Sequence, residues 1–231
     1  MSDSIIRWIE IIFNILYLAT VWTVTALMLR NRRRLTEETR RTGLLFAAAF
    51  FLLAFGDTGH VGFRVLAYGL GGLEENPVLV GAGALATAVT VTFFYMIVCE
   101  IWRSRFDKNR GLVWWVLIVA GVVRLALMIP PQNRWGSVVP PHAWSLVRNI
   151  PLTIQGIGIA LALLISGTRQ KDSLSKKVAV MIFISYGCYI PVILFVQRVP
   201  MIGMLMIPKT VAYLVIAFFA YSLFRKRGEW S

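Results

Sequence analysis

Residues 30–64 read RNRRRLTEETRRTGLLFAAAFFLLAFGDTGHVGFR, and three things in them decide the fold. A knot of arginines, Arg30 to Arg41, is followed by an apolar run from Leu44 to Phe55. Inside the continuation of that run stand Asp57, His60 and Arg64. A helix that crosses a bilayer needs about 20 largely apolar residues, and cytoplasmic loops are enriched in Lys and Arg. The knot therefore reads as a cytoplasmic loop, and the run after it as a span that carries ionisable groups within the hydrocarbon.

The same alternation recurs along the chain. Seventeen of the 24 lysines and arginines fall in four clusters, Arg30 to Arg41, Arg103 to Arg110, Arg169 to Lys177, and Arg225 to Arg227, separated by apolar stretches. Spans are expected at about 5–29, 43–68, 78–102, 111–130, 144–166, 176–197 and 201–224. With every cluster inside, the alternate connections, including acidic Leu73-Glu74-Glu75-Asn76, lie outside. The expected fold is an all-α integral membrane protein: a single seven-transmembrane helix bundle with the N-terminus outside and the C-terminus cytoplasmic. Apolar residues make up 58% of the 231 and charged ones 15%, against roughly 45–50% and 25% in soluble domains. Seven spans use the whole chain, so chemistry is confined to the bundle, its loops or a separate partner. The net charge of +13 is accounted for by the basic loops, and no nucleic acid is expected as a partner.

Local patterns refine this. Trp8, Trp102, Trp114, Trp115, Trp135 and Trp144 fall near span ends, where amphipathic rings favour the headgroup region. The small-residue run Gly81 to Ala88 predicts a central third span, and Gly156/Ala160 with Gly158/Ala162 predicts tight packing of the fifth. The loop holding Pro130-Pro131 and Pro140-Pro141 is expected to be stiff and to act as a partial lid. Cys99 and Cys188 both lie in apolar stretches and suggest neither a disulfide nor a thiolate metal site. The first apolar segment lacks a basic leader and is expected to be retained as a span. A duplication relating spans 1–3 to 5–7 has slight residue support, in Arg7 and Asn14 against Arg148 and Gln155, and in Phe93-Phe94 against Phe218-Phe219.

The candidate site comes from counting depth along each helix. At about 1.5 Å per residue, Asp57 lies roughly 24 Å from Arg41, Arg124 roughly 21 Å from Arg110, Gln155 roughly 21 Å from Arg169 and Lys209 roughly 24 Å from Arg225. All four fall in the outer half of a core about 30 Å thick. Asp57, His60 and Arg64 share one face of span two at spacings of three and four. Glu10, Arg148 and Arg198 lie nearer the outer rim, and Tyr186 and Tyr189 somewhat deeper. Ionisable groups at such depth need partners or water. The layer reads as an outward-opening polar funnel whose binding residues are Asp57, His60, Arg64, Arg124, Gln155, Lys209 and Tyr189. Its excess of cations favours a small anionic or zwitterionic solute, with arginine suited to bidentate contact. The plainer alternative is that Asp57 pairs with Arg124 or Arg64 as helix glue, while Lys209 and Arg64 snorkel outwards. Glu100 beside Arg103 reads as an interfacial ion pair.

Seven spans in this orientation with a lysine in the last resemble microbial rhodopsins, which would imply retinal on Lys209. The resemblance stops there, because Leu205 stands where that family has an acid and span three has no charged counterion before Glu100. Seven-span hydrolases related to ceramidases need several histidines for zinc, and this chain has only His60 and His142. No cofactor and no metal are expected. The expected function is solute binding for transport, or for sensing through a separate signalling partner or an oligomer. Rival readings are an intramembrane enzyme on lipid headgroups, with Asp57 and His60 as acid and base and Arg64 or Arg124 on phosphate, and a membrane scaffold subunit. The plasma membrane is the expected location.

Overall fold

A computed structural model describes residues 3–106 and 109–225, with side chains from Ile12 onward, so Arg7, Trp8, Glu10, Lys108, Lys226 and Arg227 lie outside the described side chains. Among the described residues seven α-helices follow in order: α1 (Asp3–Arg30), α2 (Glu37–Gly69), α3 (Pro77–Arg105), α4 (Leu112–Leu127), α5 (His142–Arg169), α6 (Ser173–Phe195) and α7 (Met206–Tyr221). Six segments are long and apolar enough to cross a bilayer, and the chain is a polytopic helical membrane protein.

The exception is α4, at 16 residues. It is about 24 Å long against a core of about 30 Å. The expected span ran to residue 130, but the helix stops at Leu127 ahead of Pro130 and Pro131, which restrict the residue before them and donate no N–H. Other boundaries also have local causes. Thr36 and Thr39 cap α2 reciprocally, Pro77 opens α3 at a position that needs no N–H, and the Asp172 carboxylate accepts from the Leu174 N–H to start α6. The last span is not one uniform helix. Pro200–Leu205 forms a 3-10 segment before α7, so Pro208 lies in the first turn, where a missing donor frees no interior carbonyl.

Small residues act as spacers, as their pattern predicted. α3 packs against α2, α4 and α5. Gly56 meets the Thr90 side chain, Gly83 meets the backbone at His60, and Gly156 lies flat against the Tyr186 ring, so a methyl group at any of the three would press into its neighbour. Gly81 is overlain by the backbone carbonyl of Trp135, which pins the proline-rich loop to the start of α3. Since Arg105, at the other end of α3, pairs with Asp172, α4 carries the chain from one end of the bundle to the other.

At the basic end Glu100 and Asp172 are engaged. Glu100 bridges Arg41 at 2.7 Å and Arg103 at 2.5 Å, and Asp172 takes both Arg105 at 2.5 Å and the Ser175 hydroxyl at 2.6 Å. Trp102, expected at an interface, is instead buried and donates its indole N–H to Ser166 at 2.9 Å.

Candidate functional site

At the end opposite the basic clusters the bundle holds a cavity of about 650 Å³. Its mouth is formed by the loop residue Trp135, by His142 at the start of α5 and by Pro200 and Gly203 of the 3-10 segment. Its floor is aromatic. Tyr186 and Tyr213 line it, and below them Tyr95 joins Tyr213 hydroxyl to hydroxyl at 2.7 Å, while Phe94 meets Tyr95, Tyr213 and Phe50 edge to face.

Six of the seven expected binding residues line this space: Asp57, His60, Arg64, Arg124, Tyr189 and Lys209. Gln155 does not. It is fully buried, donates to the Leu117 carbonyl at 3.2 Å across the α4–α5 contact, and leaves its Oε1 without a hydrogen-bond partner. The helical count addresses depth along α5 but not the direction in which the side chain is turned. Arg148, expected at the rim, also lines the cavity, whereas Arg198 is exposed and is not part of the lining.

Asp57 forms no ion pair with Arg124 or Arg64 among the described residues, contrary to the helix-glue expectation. Its carboxylate accepts from the Tyr17 hydroxyl at 2.5 Å and the Thr87 hydroxyl at 3.3 Å, tying α2 to α1 and α3. Lys209 lies within its electrostatic reach. The ammonium does not snorkel outwards but sits over the rings of Tyr189 at 4.8 Å and Tyr213 at 5.7 Å. A cation over an aromatic face is attracted by the ring quadrupole while its N–H donors remain free for another acceptor.

Arg124 is 2% exposed and fully framed. It donates to the Thr92 hydroxyl at 2.7 Å, the Ala88 carbonyl at 3.1 Å, the Arg148 carbonyl at 3.3 Å and Asn149 Oδ1 at 3.5 Å. Asn149 Oδ1 also accepts from the Tyr189 hydroxyl at 3.0 Å, so one amide organises an arginine and a tyrosine. Arg148 donates to Asn133 at 3.1 Å and lies 4.5 Å over the Trp135 ring, which fastens the loop to α5. Among the described residues the acceptors of these two arginines are neutral, so both charges remain in the field of the cavity.

Free hydrogen-bonding capacity is concentrated elsewhere. Among the described residues neither Lys209 nor Arg64 has a hydrogen-bond acceptor, and His60 Nδ1 is buried without a partner. His60 feels the charges of both Arg64 and Lys209. Tyr17, Thr87, Thr92 and Asn149 went unread in the sequence because nothing separates them there from ordinary span residues. No group of three or more His, Cys, Asp or Glu able to hold a metal occurs among the described residues. No protein-family model, curated protein or solved structure matches the chain.

Proposed function

We propose that the chain binds a small anionic or zwitterionic solute in this cavity, in a seven-crossing topology with the mouth outside and the basic end cytoplasmic, as a transporter or sensor of the plasma membrane. The observation that carries the reading is the charge of the lining: among the described residues Arg64, Arg124, Arg148 and Lys209 stand against one carboxylate, Asp57. Such an excess in a low-dielectric recess concentrates anions. Lys209 and Arg64 supply the free donors, His60 a further polar contact, and Asp57 a counter-charge for an ammonium if the solute is a zwitterion. Arg124 contributes field and shape, since its donors are largely committed to the protein, and Arg148, held by Asn133 and Trp135, adds its charge at the same end.

The test is calorimetric titration of the purified full chain in neutral-lipid nanodiscs with a panel of carboxylates, phosphates and amino acids. At least one member should bind saturably, and Lys209→Gln or Arg64→Gln should weaken it roughly tenfold to a hundredfold, the size of one hydrogen bond to a charged group. Saturable uptake of that compound into proteoliposomes separates transport from sensing. Absence of saturable binding across the panel, or binding indifferent to both substitutions, would reject the site and leave the charges as scaffold.

A further inference from the structure

The cavity's lining is of two kinds. The polar groups with free donors, His60 and Arg64, stand on α2, with Lys209 beside them on α7. Much of the remaining lining is apolar: Val192 of α6, Val196 just past its end, Met204 of the 3-10 segment, Ile207 of α7 and Phe13 of α1. The two kinds of lining meet at Lys209, whose ammonium lies over the Tyr189 ring of α6. A hydrophilic solute held at Lys209 and Arg64 would leave the apolar lining facing water. A lining of that kind is matched by a hydrocarbon chain.

A second observation concerns the route in. Met204 and Met206 both line the cavity and are 40% and 36% exposed, and Met201 in the same stretch is 66% exposed. The 3-10 segment that opens the last span thus brings exposed, flexible thioether side chains to the edge of the cavity. Methionine adapts to apolar ligands of varied shape because it is unbranched and polarisable.

Resting on the solute-binding reading above, we infer that the ligand is an amphiphile: an acidic head, carboxylate or phosphate, held by Lys209 and Arg64, with an alkyl chain laid along the α6 and Met204 wall. The head is common to a membrane-derived fatty acid or lysophospholipid and to a free short-chain acid, and chain length distinguishes them.

The experiment titrates the wild-type full chain in phosphatidylcholine nanodiscs with sodium butyrate, hexanoate and octanoate, with 1-octanol as the uncharged control and empty nanodiscs subtracted. Kd should fall about fourfold per added methylene, roughly two hundredfold from butyrate to octanoate, and octanol should bind at least tenfold more weakly than octanoate. Lys209→Gln should abolish the octanoate–octanol difference while keeping the chain-length slope, and Arg64→Gln should do so in part, with melting curves reporting folding. Butyrate binding as tightly as octanoate, still sensitive to Lys209→Gln, would overturn the amphiphile and leave the small-solute reading standing. No saturable binding by any acid, when another member of the wider panel binds, would also overturn it; silence across both sets would overturn both readings.

Discussion

Arg124 has five N–H donors, and four hydrogen bonds to neutral acceptors hold it in place. Removing its guanidinium leaves the carbonyls of Ala88 and Arg148 and the side chains of Thr92 and Asn149 to be satisfied in a low dielectric. Arg124→Gln is therefore expected to lower unfolding stability by about 1.5–3 kcal/mol. Because Arg124 and Asp57 share no hydrogen-bond partner, Asp57→Asn should add to it independently, within about 0.5 kcal/mol in a double-mutant cycle. Denaturation of both single mutants and the double would decide: a double mutant more stable than Arg124→Gln alone would mean that the two charges compensate each other. Tyr17→Phe, which removes the short bond to Asp57, should cost about 1.5–3 kcal/mol by the same measurement. The charged members of this network were legible because intramembrane charge is rare. Their acceptors were not, since the backbone of Ala88 or Arg148 offers a carbonyl whatever the side chain.

Gly81 shows how one element's composition sets another's position. With the Trp135 carbonyl resting on its Cα, a side chain there has to lift the loop from the start of α3. Gly81→Leu should destabilise the bundle by about 1–3 kcal/mol through overpacking and raise hydrogen exchange at Trp135 to Val139, with exchange at the basic end unchanged. Unaltered exchange in the loop would mean that this contact does not hold it. At the other end, Asp172 joins the α5–α6 turn to α3. Burial by itself would raise its carboxyl, but hydrogen bonds from Arg105, Ser175 and the Leu174 N–H outweigh that and hold it below the ordinary value of 3.8. A depressed carboxyl stabilises the folded state above the unfolded value and loses that contribution as pH falls through the folded one. Unfolding curves should thus show a stability step below about pH 4 that Asp172→Asn lacks. Helix packing by Gly83 and Gly156 was readable from small-residue spacing, whereas Gly56 stood outside those runs. The early stop of α4 and the 3-10 start of the last span were not, because hydropathy runs on smoothly through residues where proline changes the backbone.

For the whole molecule, the expected arrangement puts residues 74–75 on one side of the membrane and Arg33 and Arg105 on the other. Single cysteines at these positions, on a Cys188→Ser background with buried Cys99 left in place, should label from opposite sides with an impermeant maleimide. Labelling of both from one side would change the number of crossings. Charge placement and apolar length, properties summed over 20 residues, made the bundle legible. The cavity depends on which way each helix is turned, a choice that Gln155 and Asp57, at nearly equal depth, make differently. The short α4 adds a consequence for the surrounding lipid. Its outward face, with Val113, Val116, Val119 and Val122 each about half exposed, is roughly 6 Å shorter than the hydrocarbon it meets. In the proposed seven-crossing arrangement lipid tails beside α4 compress while those beside α2, at 33 residues, need not, which gives the annulus an uneven thickness. Melting temperature should then peak in nanodiscs of shorter-chain phosphatidylcholine, near 14 carbons, and fall in 18-carbon lipid, and lengthening α4 by Pro130→Ala with Pro131→Ala should move that optimum towards the thicker bilayer.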